Sequence, residues 1–226
     1  MTRFAVDFRY FEIEYELWAL EQMLKVIEPA IESLAGADAQ QAVDEISRQG
    51  WEPGDGDGEM LLQEVYEKRD YVLPRFMRGP FLVSVWACFE TAVQSVARLC
   101  AKEIEAPIRM NELRGDDFLK RAIRYFDAIL GLPLDSDGDR LKRLNDLYVI
   151  RCALAHANGL REGMSDEKWA ELCKALGRQG LAPDSRDLVL LTENFVACAY
   201  DDVRACLKDL VARARQSSDR ERERSA

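Results

Sequence analysis

The chain has 226 residues, 48% hydrophobic and 32% charged, which is enough apolar content to bury a sizeable core and too much for a disordered chain. Seven prolines and 13 glycines are too few for a loop-built or collagen-like protein. The formal net charge is -10, and the first 60 residues carry all of the excess, with four basic side chains against 14 acidic ones. That balance excludes a non-specific nucleic-acid coat, which draws on clustered Lys and Arg, but leaves room for a local site handling one phosphate.

Six cysteines contain no C-x-x-C pair and the chain has one histidine, so no Cys/His metal site is expected. Cysteines scattered through apolar helical patterns suit a reducing compartment, and a cytoplasmic location is the expectation. Residues 1–9 carry an acid and no apolar run, which does not describe a signal peptide. The longest apolar stretch, 81–88, is broken by Ser84 and is far short of a membrane span.

Almost every segment reads at helical period, which makes the expected fold class all-α. The first helix is expected over 4–34, with Phe4, Phe8, Phe11, Tyr15, Trp18 and Met23 as its periodic apolar residues and a kink at Pro29. It should pack on the core as an added helix. A weaker helix is expected from about Ala37 to Arg48, and the Gly/Asp-rich run 50–58 reads as a loop. Asp55, Asp57 and Glu59 in that run lack the fixed Gly and distant acid of a calcium loop, so it reads as a loop ending in a helix cap. A helix over 59–77 is expected to break near Pro74, and Gly79-Pro80 to punctuate before the next one.

The most apolar helix is expected over 81–104, buried through Phe81, Val85, Cys88, Phe89, Ala92, Val96 and Leu99. Asp116 should cap a helix to Leu130. The run 135–139 reads as a turn and cap, because Arg140 stands where a calcium loop needs Gly. The next helix is expected over 139–158, and a short one over 166–176 is opened by Ser165. At most a small strand or hairpin near 186–192, where the apolar run Leu188–Leu191 reads as strand-like or as the start of a helix, precedes a last helix to Arg215. The domain reading is a single helical domain over 1–215, its core about 81–210 with an N-terminal helical extension over 1–78, followed by a flexible tail over 216–226.

Chemistry concentrates around the one histidine, in the string from Asn145 to Gly159. Arg151 falls in the middle of a mostly apolar face with Leu144, Leu147, Tyr148 and Leu154, where an unpaired cation is costly. On an ideal helix, His156 lies about 140° from Arg151, on the face of Asn145, Val149 and Cys152. One copy therefore does not close an Arg–His pair, whereas two copies meeting near this turn would converge both. Ala153, Ala155 and Ala157 would permit the close approach. The arginine also reads as a partner for a core carboxylate such as Glu90, and the histidine as a helix-end cap.

Arg151-x4-His156 near the end of a helix in an all-α chain resembles the R-x4-6-H motif of the HEPN superfamily, and the terminal His-Ala-Asn-Gly resembles bacterial members. Phe89-Glu90 resembles the acidic position on a neighbouring core helix of that family. The resemblance spans about residues 81–210. It implies a helical bundle that dimerises through the motif helix and a metal-independent endoribonuclease acting on single-stranded RNA as a homodimer, a toxin or defence effector with an antitoxin or regulatory protein as partner. Arg151 and His156 would be catalytic; Asn158, Glu90, Asn145 and Cys152 would support them, with no metal, cofactor or membrane involved. In active family members the residue after the motif arginine is usually polar, and here it is Cys152. That departure carries the alternative, a non-catalytic interaction or nucleotide-binding module of the same fold.

Overall fold

In the computed structural model, which describes residues 10–52, 54–115 and 117–225, the apolar periodicity resolves into an all-α helical bundle protein. Among the described residues there is no strand; the stretch 186–192, read as at most a small strand or hairpin, forms only an isolated antiparallel bridge between Leu160 and Leu188. The chain divides into two compact units. One is built from residues up to Leu20, Ser84–Tyr148 and residues from Cys198 on; the other from Glu21–Val83 and Val149–Ala197.

α1 (Phe11–Gln49) is one helix where the sequence predicts two. Pro29 sits inside it, but both Pro29 and Lys25, whose carbonyl loses its donor, are exposed to water. Ala35, Ala37, Ala39 and Ala42, the best helix formers, carry the chain past Gly36. The buried row is also not the expected one. Ile13, Leu17, Leu20, Ile27 and Ile31 are buried, whereas Phe11, Tyr15 and Trp18 are 56%, 60% and 53% exposed. Those three rings lie against one another, with centroids 6.1 and 5.6 Å apart. Phe4 and Phe8 lie outside the described residues. Both rows obey helical spacing, but a helix can turn only one of them inward; the aliphatic row continues to Ile31, while the aromatic row meets Gln22 after Trp18.

The expected breaks at Pro74 and Pro80 are likewise absent. α2 (Gly56–Glu67) passes through a π-helical turn, Lys68–Val72, into α3 (Leu73–Glu103). A wide turn just ahead of Pro74 relaxes the ladder at the point where the ring would crowd it. This run contains an 18-residue window of mean hydropathy 1.2, with 56% of that window buried in the protein. Asp55 stands at the start of α2, although its carboxylate accepts from the Glu52 N–H at 2.7 Å rather than from the helix.

In the first unit α3 buries Val85, Trp86, Cys88, Phe89, Ala92, Val93 and Val96, close to the expected stripe, with Leu99 half-buried. α4 (Phe118–Ala128) is capped by Asp117, which accepts from the Lys120 N–H at 3.2 Å; the expected cap, Asp116, lies outside the described residues. The rings of Phe89 and Phe118 meet edge-on at 6.4 Å. α5 (Gly138–Ala157) starts one residue earlier than expected. α7 (Glu193–Ser225) continues well past Arg215, through the stretch expected to be a flexible tail. It buries Tyr200, Val203, Cys206, Leu207, Leu210 and Ala214, and Tyr200 donates its hydroxyl to the Leu17 carbonyl at 2.8 Å.

The Asp135 carboxylate is fully buried. Arg140 donates to both of its oxygens, at 2.5 and 2.7 Å, and the Asp137 N–H adds a third bond at 2.9 Å. Arg140 also reaches the half-exposed Asp209 at 2.5 Å. Asp137 in turn accepts from the N–H groups of Asp139 and Arg140, which is the cap and turn read from the sequence. Burial alone would raise the Asp135 carboxyl, but the bonds from Arg140 and Asp137 outweigh it and hold it below the ordinary aspartate value.

In the second unit α6 (Asp166–Arg178) is capped by Ser165 as expected and buries Trp169, Leu172, Ala175 and Leu176. Arg78 grips both oxygens of Glu28, at 2.7 and 2.6 Å, and donates to the Leu191 carbonyl at 2.8 Å.

Asp135→Ala should lower stability by about 3 kcal/mol in urea unfolding, the low end for breaking a buried pair because Arg140 keeps Asp209; Asp209→Ala should cost under about 1 kcal/mol. Since the folded carboxyl is depressed, the wild-type advantage should hold at every pH above about 4 and shrink as pH falls through the folded value. A second check concerns α1. Trp18 is exposed and Trp51 half-buried, while Trp86 and Trp169 are buried, so Trp18→Phe should remove the larger share of the acrylamide-quenchable, long-wavelength fluorescence and leave the smaller share of Trp51. No change would mean that the aromatic row is the inward one.

Candidate functional site

The end of α5 is shaped by two consecutive residues in the left-handed region, Asn158 at φ 51° and Gly159 at φ 72°. They turn the chain back so that the Gly159 N–H meets the Ala153 carbonyl at 3.1 Å. The returning strand-like segment then pins the turn: Val189 donates to the Gly159 carbonyl at 3.0 Å and Arg161 to that of Asp187 at 3.2 Å. Asn is one of the few side chains tolerated at the first left-handed position, and Gly is needed at the second. A Cβ on Gly159 would lie 3.3 Å from both Leu154 and Val189. A Cβ on Gly163, in the short turn Arg161–Gly163, would lie 2.8 Å from that of Ala157.

On this scaffold His156 and Asn158 are exposed, while Arg151 and Cys152 are half-buried. Arg151 Nη1 points at Cys152 Sγ, 3.6 Å away. Among the described residues none hydrogen-bonds the His156 ring. All four belong to the second unit. Asn145, half-buried on α5, and Glu90, on α3, belong to the first unit, where Glu90 accepts from Trp86 Nε1 at 2.7 Å. Of the alanines expected to allow close helix approach, Ala155 is exposed and Ala157 half-buried, but Ala153 is buried inside the protein. The exposed tip of α5 therefore carries an imidazole and a carboxamide, with a half-buried arginine earlier on the same helix. Those groups can take or give a proton and bind a phosphate oxygen.

A concavity, apart from the α5 tip, lies wholly within the first unit. It encloses about 730 Å³ between the C-terminal turns of α3, the connector through the short turn Met110–Glu112, and α4. Arg98, Lys102, Arg109 and Arg121 line it, with Glu105 as the one carboxylate among its lining residues. Sequence reading missed it because its cations come from three elements. The available signal was the polar row Thr91, Gln94, Ser95, Arg98 and Lys102 along one face of α3, opposite the buried stripe. Among the described residues no cluster of three His, Cys, Asp or Glu side chains is placed to hold a metal ion.

Compared with known protein families, with curated proteins and with solved structures, the chain shows no significant match.

The crowding at the turn sets a stability test. Gly159→Ala and Gly163→Ala should each cost about 1–2 kcal/mol, the first through φ and contact, the second through contact with Ala157. Gly177→Ala on α6, where an added Cβ meets nothing within 4 Å, should be neutral or stabilising by up to about 1 kcal/mol. Thermal melts of the three variants check this.

Proposed function

We propose that this protein is a metal-independent endoribonuclease of HEPN type, working as a homodimer on single-stranded RNA. The observation that carries the proposal is the exposure of the chain's one histidine at the tip of α5, five residues after a half-buried arginine in an all-α bundle. In this reaction the ribose 2′-oxygen attacks the adjacent phosphorus and loses its proton to a base. The 5′-oxygen leaves with a proton from an acid, giving a 2′,3′-cyclic phosphate and a 5′-hydroxyl end. An imidazole serves as base in one half of that exchange and as acid in the other. An arginine holds the phosphate by two parallel bonds and offsets the charge that builds on it.

The single protomer supports the need for a second copy. Arg151 and His156 diverge by about 140° on an ideal helix, so their joint action on one phosphate calls for the partner's complementary residue across a two-fold axis. The exposed Ala155 leaves room for that approach beside His156. A toxin or defence role, with a protein that restrains it, follows from the same reading.

One observation favours the non-catalytic alternative of a binding module. Arg151 is half-buried and directs Nη1 to the sulfur of Cys152, the residue that replaces the family's usual polar group.

The two readings separate in one experiment. Full-length protein in chelator should cut mixed RNA to cyclic-phosphate ends, and His156→Ala, at an exposed position, should keep its melting temperature and lose about 100-fold or more in rate. Light scattering at micromolar protein should report twice the 25.8 kDa chain mass. Equal background cleavage by wild type and variant, or a clean monomer, ends the nuclease reading.

A further inference from the structure

Elsewhere in this chain three half-buried guanidinium groups are matched to carboxylates: Arg140 to Asp135, Arg143 to Asp202, Arg78 to Glu28. The cavity of the first unit departs from that pattern. Arg98, Lys102 and Arg109 are exposed on its wall, and no carboxylate among the described residues stands within ion-pair distance of them. Arg121 is half-buried and donates Nη1 to the Gly115 carbonyl at 2.9 Å, which orients its fork while leaving further N–H groups to give. Gly115, at φ 143°, is packed against the stem of Arg121. Four cations against one lining carboxylate, with Glu112 beside them accepting from the Arg109 backbone N–H at 2.8 Å, leave a net positive wall in a chain with 41 acidic residues to draw on.

We propose that this cavity is a binding site for a small organic di- or triphosphate, with its phosphates on Arg98, Lys102, Arg109 and Arg121 and its apolar body against Ala101, Ile108, Met110 and Phe118. Four cations call for more than one negative charge, and guanidinium forks suit phosphate oxygens. Gln94, Ser95 and Asn111 stand at the same wall to bond neutral polar groups of the ligand. The volume, about 730 Å³, lies within the range of about 300–1,000 Å³ for small-molecule sites.

An extended RNA strand fits this site less well. The rings of Phe118 and Tyr125 are buried, with the Tyr125 hydroxyl given to the Ile108 carbonyl at 2.9 Å, so no exposed ring is offered for stacking successive bases. A net charge of -10 also repels a long polyanion while leaving a local cationic wall effective for a short one. The site is lined by first-unit residues alone, so it holds or fails independently of the nuclease proposal.

Calorimetry on the full chain at low salt tests it with ATP, inorganic tripolyphosphate, adenosine and a single-stranded oligonucleotide. ATP should bind, adenosine should not, and tripolyphosphate should bind about tenfold more weakly than ATP because it leaves the apolar wall unused. The R98E/R109E variant, altered at two exposed positions, should keep the wild-type melting temperature and lose at least about tenfold in ATP affinity, with a shallower salt dependence. No ATP binding by the wild type, equal ATP affinity in the variant, equal affinity for tripolyphosphate, or tighter binding of the oligonucleotide would each overturn the proposal.

Discussion

A carboxylate cut off from water has to be supplied with donors, and the arrangement around Asp135 meets that demand with a guanidinium and a backbone N–H. Satisfying it determines where α5 begins. Asp137 must cap the helix for its own N–H to face Asp135, and Arg140 must fall in the first turn to reach it. With the start set, helical period assigns Leu144, Leu147 and Ile150 to the buried side and delivers Arg151 half-buried and His156 exposed, eleven and sixteen residues on from Arg140. The motif's exposure thus follows from a polar constraint at the other end of its helix.

Charge is handled in two ways along the chain. Most cations that lose water are neutralised by a carboxylate in place, and α1 spends its glutamates mainly on the solvent. Around the end of α3 that habit stops, and a cationic wall forms inside an acidic protein. Because the lining cations outnumber the lining carboxylate, the wall keeps a short-range field that a small anion feels and a long polyanion feels less.

The two candidate sites differ in how they are made. The α5 tip is an exposed helix end held by a turn whose two left-handed positions suit Asn158 and Gly159, and it presents few groups from one protomer. The α3–α4 cavity is concave and assembled from three elements, with its cations already in place. A proton-transfer site built from one histidine gains most from a second chain, whereas an anion site gains most from a rigid wall.

Helical period, one histidine, a cap and turn within the run 135–139 and the cap at Ser165 were legible in the residues, because each depends on spacing along a single element. The all-α class and the placing of Arg151 and His156 on one helix followed from them. The breaks at Pro74 and Pro80 did not come about, since a lost hydrogen bond can be left to water or absorbed in a wide turn, and packing outweighs it. The helical end of α7 was missed because its composition reads as polar tail. What the sequence determined by itself is the helical class and the local chemistry of each turn. Which of two equally periodic rows on α1 faces inward, and that Arg98, Lys102, Arg109 and Arg121 share one wall, were decided only by tertiary structure. Period fixes which residues share a face, but only the partner across the core selects the face, and only folding brings distant cations together.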